Sequence, residues 1–444
     1  MIKRRIDIDF SRKMGKVKPM SSVVGGPFFD FSCDLDFTDE YKAMSVPFVR
    51  TAPEPGRCAS LDISVVFPDF SLDENLELSY DFTRADRTVL LSKATGADIF
   101  LCLTDGSDLR EPIYKILPRE NYEKWARVAA KIISHFNEGF ALGHKLGIKY
   151  VEIMCGIDRS PIFEKNEDFF EFYRTVSNFL KKRFPRIKVG AYSSGGFRSL
   201  NHVDTREKEK GYVPFLEDFL SYISKKGTHA PLDFLSWECS CETPEELSLH
   251  TNYARSYLNH YGFKKTESII SEFNIFGAGE RILVSDKRYP PLLASSLITA
   301  VKSDADMMFY KDMNPYAKGN FLYTVDDRTS KRHYSAYNVV RVFGEMAKGK
   351  STLADTSEDY RHEIYSLASQ NESNGYVMLV TRNFDGAIEL NLASHSYTSY
   401  SIEGILGGGA RGEGIARRSE IIPLSGKIAL RTGADEVYFV TLYK

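Results

Sequence analysis

Short apolar runs alternate with amphipathic helical stretches between about residues 18 and 348 of this 444-residue chain. Such alternation is typical of parallel βα units. Eight of the runs are apolar nearly throughout, as strands covered on both faces should be. They are residues 22–29, 45–51, 97–104, 148–155, 187–193, 232–239, 268–274 and 305–310. Eight such strands predict an α/β fold with a (β/α)8 TIM barrel in preference to a doubly wound sheet.

The helices between these strands are indicated by their spacing and by their end signals. Apolar residues recur at intervals of three and four from Trp125 to Phe136, which is the pattern of a helix that buries one face. Thr243 is followed by Pro244 and then by Glu246, a capping box with proline in the first turn. We therefore expect one helix near each of these places, each leading to the next strand.

The pattern changes after about residue 350 to short β-prone runs separated by Asn, Gly and Ser turns. This change predicts a C-terminal antiparallel β-sandwich domain over residues 351–444, with residues 16–350 as the barrel. Residues 1–15 contain another strand-like run and are expected to pair with the sandwich. The glycine-rich run 407–412 has no strand-to-helix transition after it, so we interpret it as a hairpin tip and not as a phosphate cradle.

Composition excludes several classes of partner. The formal charge of -2 provides no basic field for nucleic acid. The N-terminus lacks the apolar stretch of a signal peptide, and no run is long enough to span a bilayer, so we expect a cytoplasmic protein without membrane contact. The six cysteines are scattered as reduced thiols usually are, and the Cys239/Cys241 pair lacks further ligands nearby. We expect no structural metal and no cofactor, while the oligomeric state stays open.

In a parallel barrel the active site lies where the strands end, so polar residues at those ends are the first candidates. Cleavage of a glycosidic bond needs two carboxyl groups, one to attack or to activate water and one to protonate the leaving oxygen. The candidates at the predicted strand ends are mostly acidic: Asp105, Asp108, Asp158, Glu238, Glu272, Lys311 and Asp312.

Several stretches in fixed order resemble the family 39 glycoside hydrolases of clan A, a group that includes β-xylosidases and α-L-iduronidases. The resemblance covers most of the chain, and its stretches are Val49-Arg50-Thr51, Phe67-Pro68-Asp69, 135–140 (HFNEGF), 148–153 (IKYVEI), 184–190 (FPRIKVG), 231–237 (PLDFLSW) and 266–274 (TESIISEFN). It implies a barrel enzyme of carbohydrate metabolism that hydrolyses O-glycosidic bonds of a small oligosaccharide or glycoside. It also implies that Glu272, at the end of the seventh strand, is the nucleophile.

The chain departs from the family pattern around this residue. Gly156 stands where the family has its general acid/base, and Cys155 replaces the neighbouring Asn. Ala52 and Pro53 follow Thr51 where the family has His and Asp. The sixth strand carries Glu238 in place of His, and the eighth carries Lys311 where an aromatic residue is common. Because glycine has no proton to give, loss of a general acid would cost on the order of 10²–10⁴-fold in rate unless another group replaced it.

Our hypothesis is that Glu238 replaces the missing proton donor, with Asp158 as the second candidate. Two close carboxyl groups push one pKa upward, as an acid requires. A carboxyl separation of about 5–5.5 Å would suit retention, and roughly 6.5–9.5 Å inversion. Three alternatives stay open: a salt bridge of Glu272 with Arg or Lys, a charged pair between Glu238 and Lys311, and a helix-capping role for Asp158.

The residues expected to bind substrate surround these carboxyl groups. Trp237 and Tyr310 are predicted as sugar-stacking walls, and the charge of Lys311 points to an acidic substrate or simply to charge balance. Glu152 is interpreted as a supporting residue of the rim. The full set of predicted substrate-binding residues is Arg50, Cys155, Trp237, Asn274, Tyr310 and Lys311. The rival interpretation from another class is a carbohydrate-binding protein that keeps the barrel but has lost catalysis.

Overall fold

The computed structural model describes residues 3–27, 29–30, 35–51, 61–104, 121–159, 162–275, 284–311, 313, 322–326, 330–406 and 415–444. The first eleven strands are β1 (Lys3–Lys16), β2 (Ser22–Val24), β3 (Phe29–Asp30), β4 (Leu35–Asp36), β5 (Phe48–Arg50), β6 (Asp98–Leu103), β7 (Tyr150–Ile153), β8 (Lys188–Ser194), β9 (Phe234–Cys241), β10 (Glu267–Ile275) and β11 (Met307–Tyr310). Strands β2 and β5 to β11 close a parallel barrel, while β3 and β4 form a separate hairpin. Each of the eight predicted runs contains or overlaps one barrel strand, so the predicted TIM barrel is confirmed.

Helices lie between the barrel strands, and the helix that follows Thr243 has the predicted signal at its N-terminus. They are α1 (Thr38–Ala43), α2 (Ile63–Val66), α3 (Thr83–Ala94), α4 (Tyr122–Asn137), α5 (Asn166–Arg183), α6 (Tyr212–Ser224), α7 (Pro244–His260), α8 (Tyr289–Lys302) and α9 (Ser335–Ala347). The α7 cap is Thr243, whose side chain accepts a hydrogen bond from the Glu246 backbone N–H. The apolar stripe of α4 is buried from Trp125 onward. In the part of the chain given above, no helix is long and apolar enough to cross a membrane.

The C-terminal strands build a second, largely antiparallel domain. They are β14 (Thr352–Thr356), β15 (Ile364–Gln370), β16 (Asn374–Thr381), β17 (Gly386–Ala393), β18 (Ser399–Leu406), β19 (Ile415–Arg418), β20 (Ile422–Pro423), β21 (Lys427–Thr432) and β22 (Glu436–Tyr443). Two earlier strands, β12 (Tyr323–Asp326) and β13 (Ser330–His333), precede α9 and form a separate hairpin. One ten-stranded sheet runs in the order β19-β18-β22-β16-β15-β14-β1-β17-β21, with β20 paired to β18. This mixed sheet is consistent with the predicted β-sandwich. The glycine run 407–412 lies outside the described residues.

The N-terminal strand β1 lies in the middle of this sheet, antiparallel to β14 and parallel to β17. Its apolar residues Ile6, Ile8 and Phe10 alternate with polar ones and are buried in the core of the C-terminal domain. A chain segment more than 330 residues away from its partners in sequence therefore completes the second domain. On its other side the sheet packs against α8 and α9, where Lys302 Nζ donates a hydrogen bond to the Ser366 carbonyl oxygen at 2.9 Å.

The barrel interior changes from aromatic to charged along its axis. Phe100, Tyr150, Phe234 and Phe309 form an apolar layer inside it, with the rings of Phe100 and Phe234 5.1 Å apart. Toward the C-terminal ends of the strands the inward positions become polar instead. Because side chains alternate along a strand, the same face of β9 that carries Phe234 carries Glu238 four residues later. The fold therefore collects the charged candidates at one mouth of the barrel.

Candidate active site

A buried ion pair forms the floor of the polar layer. Arg50, the last residue of β5, donates two hydrogen bonds to Glu152 Oε2 on β7, from Nε at 2.9 Å and from a terminal nitrogen at 2.6 Å. Both side chains are 0% exposed. Charges removed from water in this way need such partners, because burial of a single ion is costly. Arg50 is thus buried beneath the barrel mouth and has no exposed surface for the predicted contact with substrate, and Glu152 is its buried partner.

Glu272 reaches this layer through a β-bulge. The pairing of β10 shifts register between Ile270 and Glu272 relative to β9, and a shift also follows Ile270 relative to β11. A bulge inserts one extra residue and changes the direction of the side chains that follow it. The Glu272 carboxylate accepts a hydrogen bond from Arg50 at 3.4 Å and forms an ion pair with Lys311.

These cations decide the protonation state of Glu272. The side chain is only 8% exposed, and burial by itself would raise its pKa. The positive charges of Lys311 and Arg50, with a further contribution from Arg159, outweigh burial and lower the pKa of Glu272 to about 2. Glu272 is therefore an ionised carboxylate at neutral pH. The salt-bridge alternative describes real contacts, and those same contacts keep the group in the form that a nucleophile requires.

Glu238 lies beside Glu272, because the two residues are register partners on β9 and β10. Its carboxylate forms an ion pair with Arg159. The predicted alternative, a pair with Lys311, holds only as a longer-range attraction, because the direct ion pair of Lys311 is with Glu272. Burial and the neighbouring Glu272 charge raise the pKa of Glu238 well above its ordinary value, despite the guanidinium of Arg159. The two neighbouring carboxyl groups therefore have pKa values shifted in opposite directions.

Arg159 occupies the space that the family resemblance assigns to the general acid. Gly156 has a φ of 66°, and a Cβ built on it would overlap the guanidinium of Arg159. A side chain at position 156 would therefore strain the left-handed backbone and would require the Arg159 guanidinium to move aside. Arg159 is not predicted from the sequence, because a lone arginine six residues beyond the end of β7 carries no signal by itself.

Asp158 is anchored to the end of β8. Its Oδ2 accepts hydrogen bonds from the Ser194 hydroxyl and the Gly195 backbone N–H, both at 2.9 Å. The helix-capping alternative is wrong, since α5 begins at Asn166 and Lys165 is its N-cap residue. Burial raises the pKa of Asp158 to about 6, although the two hydrogen bonds oppose this shift. Asp158 is therefore a second carboxyl group that can hold a proton near neutral pH.

Three predicted substrate-binding residues lie behind the rim. Trp237 is 0% exposed and faces the helix side of β9, where its indole N–H donates to Ser268 Oγ at 3.0 Å. Tyr310 is also buried, with its hydroxyl 2.6 Å from that of Tyr289. The Tyr289 hydroxyl in turn donates to Asn274 Oδ1 at 3.2 Å. These positions correct the prediction that Trp237 and Tyr310 form sugar-stacking walls, and they place Asn274 in a buried network.

Cys155 and Lys311 are the predicted binding residues that keep some exposure at the site. A hydrogen bond with Cys102 and the charge of Arg50, 3.2 Å from Sγ, lower the pKa of the Cys155 thiol to about 6. Cys102, Cys155 and the other two described cysteines are free thiols, as expected.

The remaining rim candidates lie outside the described residues: Ala52, Pro53, Asp105, Asp108 and Asp312.

The barrel with its C-terminal sheet domain is a fold shared with solved structures that are named as glycosidases. The chain is similar over 100% of its length and of theirs to a glucosidase from Croceicoccus marinus (16% identity, TM-score 0.78). It is also similar, with 99% of each chain covered, to an α-L-arabinofuranosidase from Thermotoga maritima (10%, TM-score 0.69) and to a monomeric β-xylosidase from Caulobacter crescentus CB15 (12%, TM-score 0.68). At these identities the likeness shows the fold alone. No protein-family model and no curated protein matches the sequence.

Proposed function

We propose that this chain is a glycoside hydrolase of the β-xylosidase-like kind, which cleaves O-glycosidic bonds of a small oligosaccharide or glycoside. The observation that carries the proposal is the pair Glu272 and Glu238. They lie side by side on neighbouring barrel strands, and their surroundings shift their pKa values apart. When the pKa values of two neighbouring carboxyl groups are shifted apart, the group with the lower pKa serves as the ionised one and the group with the higher pKa as the proton carrier. Here these are Glu272 and Glu238. The fold of the similar glycosidases and the resemblance to family 39 support the same conclusion.

In this proposal Glu272 is the nucleophile. Its carboxylate attacks the anomeric carbon while the glycosidic oxygen leaves, and water later hydrolyses the covalent glycosyl-enzyme with retention of configuration. Lys311 and Arg50 hold the carboxylate on both sides and keep it ionised. The same cations also reduce its basicity, so part of its reactivity has to come from orientation at the barrel mouth.

Glu238 is the non-standard proton donor in this proposal. Burial and the charge of Glu272 raise the pKa of Glu238 and so favour the protonated form, which supplies the proton that the leaving alkoxide needs. Arg159, which forms an ion pair with Glu238, cannot release a proton at this pH, but its fixed charge stabilises negative charge that develops on the leaving oxygen. Asp158, with a pKa of about 6, is the second candidate for the donor.

A carbohydrate-binding protein without catalysis is the competing function, and one observation favours it. The guanidinium of Arg159 fills the place of the usual acid, and both Glu238 and Glu272 form ion pairs with cations. Among the described residues of the mouth, carboxylates that are paired in this way are suited to hydrogen bonding with sugar hydroxyl groups, and binding alone needs no proton donor.

A leaving-group series separates the two functions. Aryl glycosides with good and poor leaving groups are assayed with the wild type and with Glu272→Gln, Glu238→Gln and Glu267→Gln. The last variant is the matched control, because Glu267 lies at the opposite end of β10 and forms its ion pair with Lys188. We expect Glu272→Gln to lose activity on all substrates and Glu267→Gln to behave like the wild type. Glu238→Gln should lose on the order of 10²–10⁴-fold on poor leaving groups and much less on good ones.

Two results would contradict the proposal. Equal losses for Glu238→Gln across the whole series would mean that this residue does not donate the proton. Absence of wild-type turnover on every substrate, together with a rise in melting temperature on addition of sugars, would establish carbohydrate binding without hydrolysis.

A further inference from the structure

Two histidines and an aspartate meet on the helical layer, on the outside of the barrel. Asp86 lies in the first turn of α3, His135 in the last turn of α4, and His144 between α4 and β7. The Nε2 atoms of His135 and His144 lie 2.8 Å and 3.1 Å from the same carboxylate oxygen, Asp86 Oδ1. One ligand atom from each of the three residues falls within 4.8 Å of the other two. None of these residues takes part in the proposed hydrolysis.

The hydrogen bond on the far side of His135 fixes which of its ring nitrogens carries a proton. His135 Nδ1 lies 2.7 Å from the carbonyl oxygen of Phe140, which can only accept, so Nδ1 is the donor. In the neutral ring the lone pair of Nε2 then points at Asp86 Oδ1. Two acceptors at 2.8 Å repel each other unless a cation lies between them, and that cation is either a second proton on the ring or a metal ion. The carbonyl contact is the arrangement that orients metal-bound histidines in proteins.

The surroundings hold this arrangement rigidly. His135 is 1% exposed, and its ring stacks on Phe82 with 3.5 Å between ring centroids. Gly143 lets the following segment pass close to His135, since a Cβ at that position would overlap both the His135 carbonyl oxygen and its Nδ1. The backbone N–H of His144 donates to the His135 carbonyl oxygen at 2.6 Å, which places the second imidazole beside the first.

We propose that Asp86, His135 and His144 bind a divalent transition-metal ion, with Zn²⁺ as the best fit. Two imidazoles and one carboxylate are a donor set that zinc accepts, with bonds of about 2.0–2.2 Å. Tetrahedral bonds of that length separate the ligand atoms by about 3.3 Å, so the His135 and Asp86 atoms need to move apart by only about half an ångström. His144 and Asp86 are partly exposed, which leaves a fourth position open to water.

The bound ion would connect α3 and α4 to the segment that leads into β7. This site revises our expectation of no structural metal, which rested on the cysteines and on the lack of paired histidines near them. The eight-residue spacing between His135 and His144, with Asp86 far away in sequence, matches none of the short zinc motifs. The proposed metal site does not depend on the proposed hydrolysis.

Zinc titration of chelator-treated protein tests the site. We expect saturable binding of one Zn²⁺ per chain by isothermal titration calorimetry and a rise in the melting temperature on Zn²⁺ addition. His144→Ala is the main variant, because this residue is partly exposed and its loss leaves the buried His135 packing intact. It should bind Zn²⁺ at least about 10–100-fold more weakly. Asp86→Asn, which keeps the side-chain shape, should also weaken binding.

His202→Ala is the matched control, since His202 is a partly exposed histidine whose Nε2 lies 2.7 Å from one carboxylate, that of Glu246. It should bind Zn²⁺ as the wild type does. The proposal is overturned if the wild type shows no saturable binding near one equivalent, if His144→Ala binds equally well, or if His202→Ala loses as much affinity as His144→Ala. The first of these results would identify the cluster as a hydrogen-bonded histidine–aspartate group that takes no metal ion.

Discussion

Substitution of Arg50 by methionine removes one half of a charged pair that water does not reach. The Arg50 and Glu152 side chains are both 0% exposed, and Glu152 Oε2 accepts both of the hydrogen bonds between them. Arg50→Met therefore leaves a carboxylate in the barrel interior without its cation. Breaking a buried pair in this way costs about 3–5 kcal/mol, and we expect the free energy of unfolding to fall by that amount.

The second half of the prediction concerns the double variant. Glu152→Leu should destabilise by a similar amount, because it leaves Arg50 without its main partner. Arg50→Met/Glu152→Leu should lie within about 2 kcal/mol of the wild type, since apolar residues of similar volume replace a buried pair at little cost. Lys42→Met is the control: its partner Asp39 is 88% exposed, and a pair of that kind contributes less than about 1 kcal/mol.

Denaturant unfolding followed by tryptophan fluorescence measures these differences. The only two tryptophans, Trp125 and Trp237, are both fully buried in the barrel domain, so their emission reports unfolding of that domain. A loss below about 1 kcal/mol for Arg50→Met would refute the reasoning. A double variant that loses the sum of the two single losses would refute it as well, because the residues would then act independently.

Three further predictions concern other parts of the molecule. Burial raises the pKa of Asp158 to about 6 in the folded protein, from an ordinary value of 3.8, so its contribution to stability is fully present below about pH 4 and is lost as the pH rises through 6. In Asp158→Asn this fall in unfolding free energy between pH 4 and 7 should be reduced. Gly156→Ala should lose about 1–2 kcal/mol from its left-handed backbone, and more from displacement of the Arg159 guanidinium. Ile8→Ala in β1 should destabilise the C-terminal domain by about 2–5 kcal/mol and speed hydrogen exchange in β17, its parallel partner.

Each of these three has an outcome that contradicts it. An unchanged pH dependence in Asp158→Asn would mean that Asp158 stays ionised in the folded protein. A Gly156→Ala variant as stable as the wild type would remove the argument that Arg159 fills this space. For β1 the control is Lys13→Ala, an exposed position of the same strand, which should change stability by less than about 0.5 kcal/mol. Equal losses for Ile8→Ala and Lys13→Ala would show that burial of β1 is not what stabilises the sheet.

The architecture could be predicted from the sequence because parallel strands buried on both faces are almost wholly apolar. Each barrel strand from β2 to β11 lies in or overlaps an apolar run, and the Thr243 cap of α7 lies where its sequence signal placed it. The predicted end of β2, the first barrel strand, was less accurate, since this strand ends at Val24 and not at residue 29. Apolar character marks a strand, but it does not mark where hydrogen bonding to the neighbour stops.

The candidate site was predictable only in part, because it depends on where side chains point. Strand ends identified Glu272 and Glu238, whereas the bulge that directs Glu272 to Lys311 leaves no trace in the sequence. Trp237 was assigned to the wrong face because alternation along β9 puts it on the helix side, between Ser236 and Glu238 on the inward face. Arg159 was missed because only the folded loop brings its guanidinium to Gly156.

The central claim is that Glu272 is a nucleophile, and covalent trapping tests it most directly. The aryl glycoside with the highest turnover is prepared with fluorine in place of its 2-hydroxyl group, which slows hydrolysis of the glycosyl-enzyme. Intact mass and peptide mapping should then show one fluorosugar on the peptide that contains Glu272, present in the Glu267→Gln control and absent in Glu272→Gln. Turnover that persists in Glu272→Gln, or a label on any other residue, would contradict the assignment.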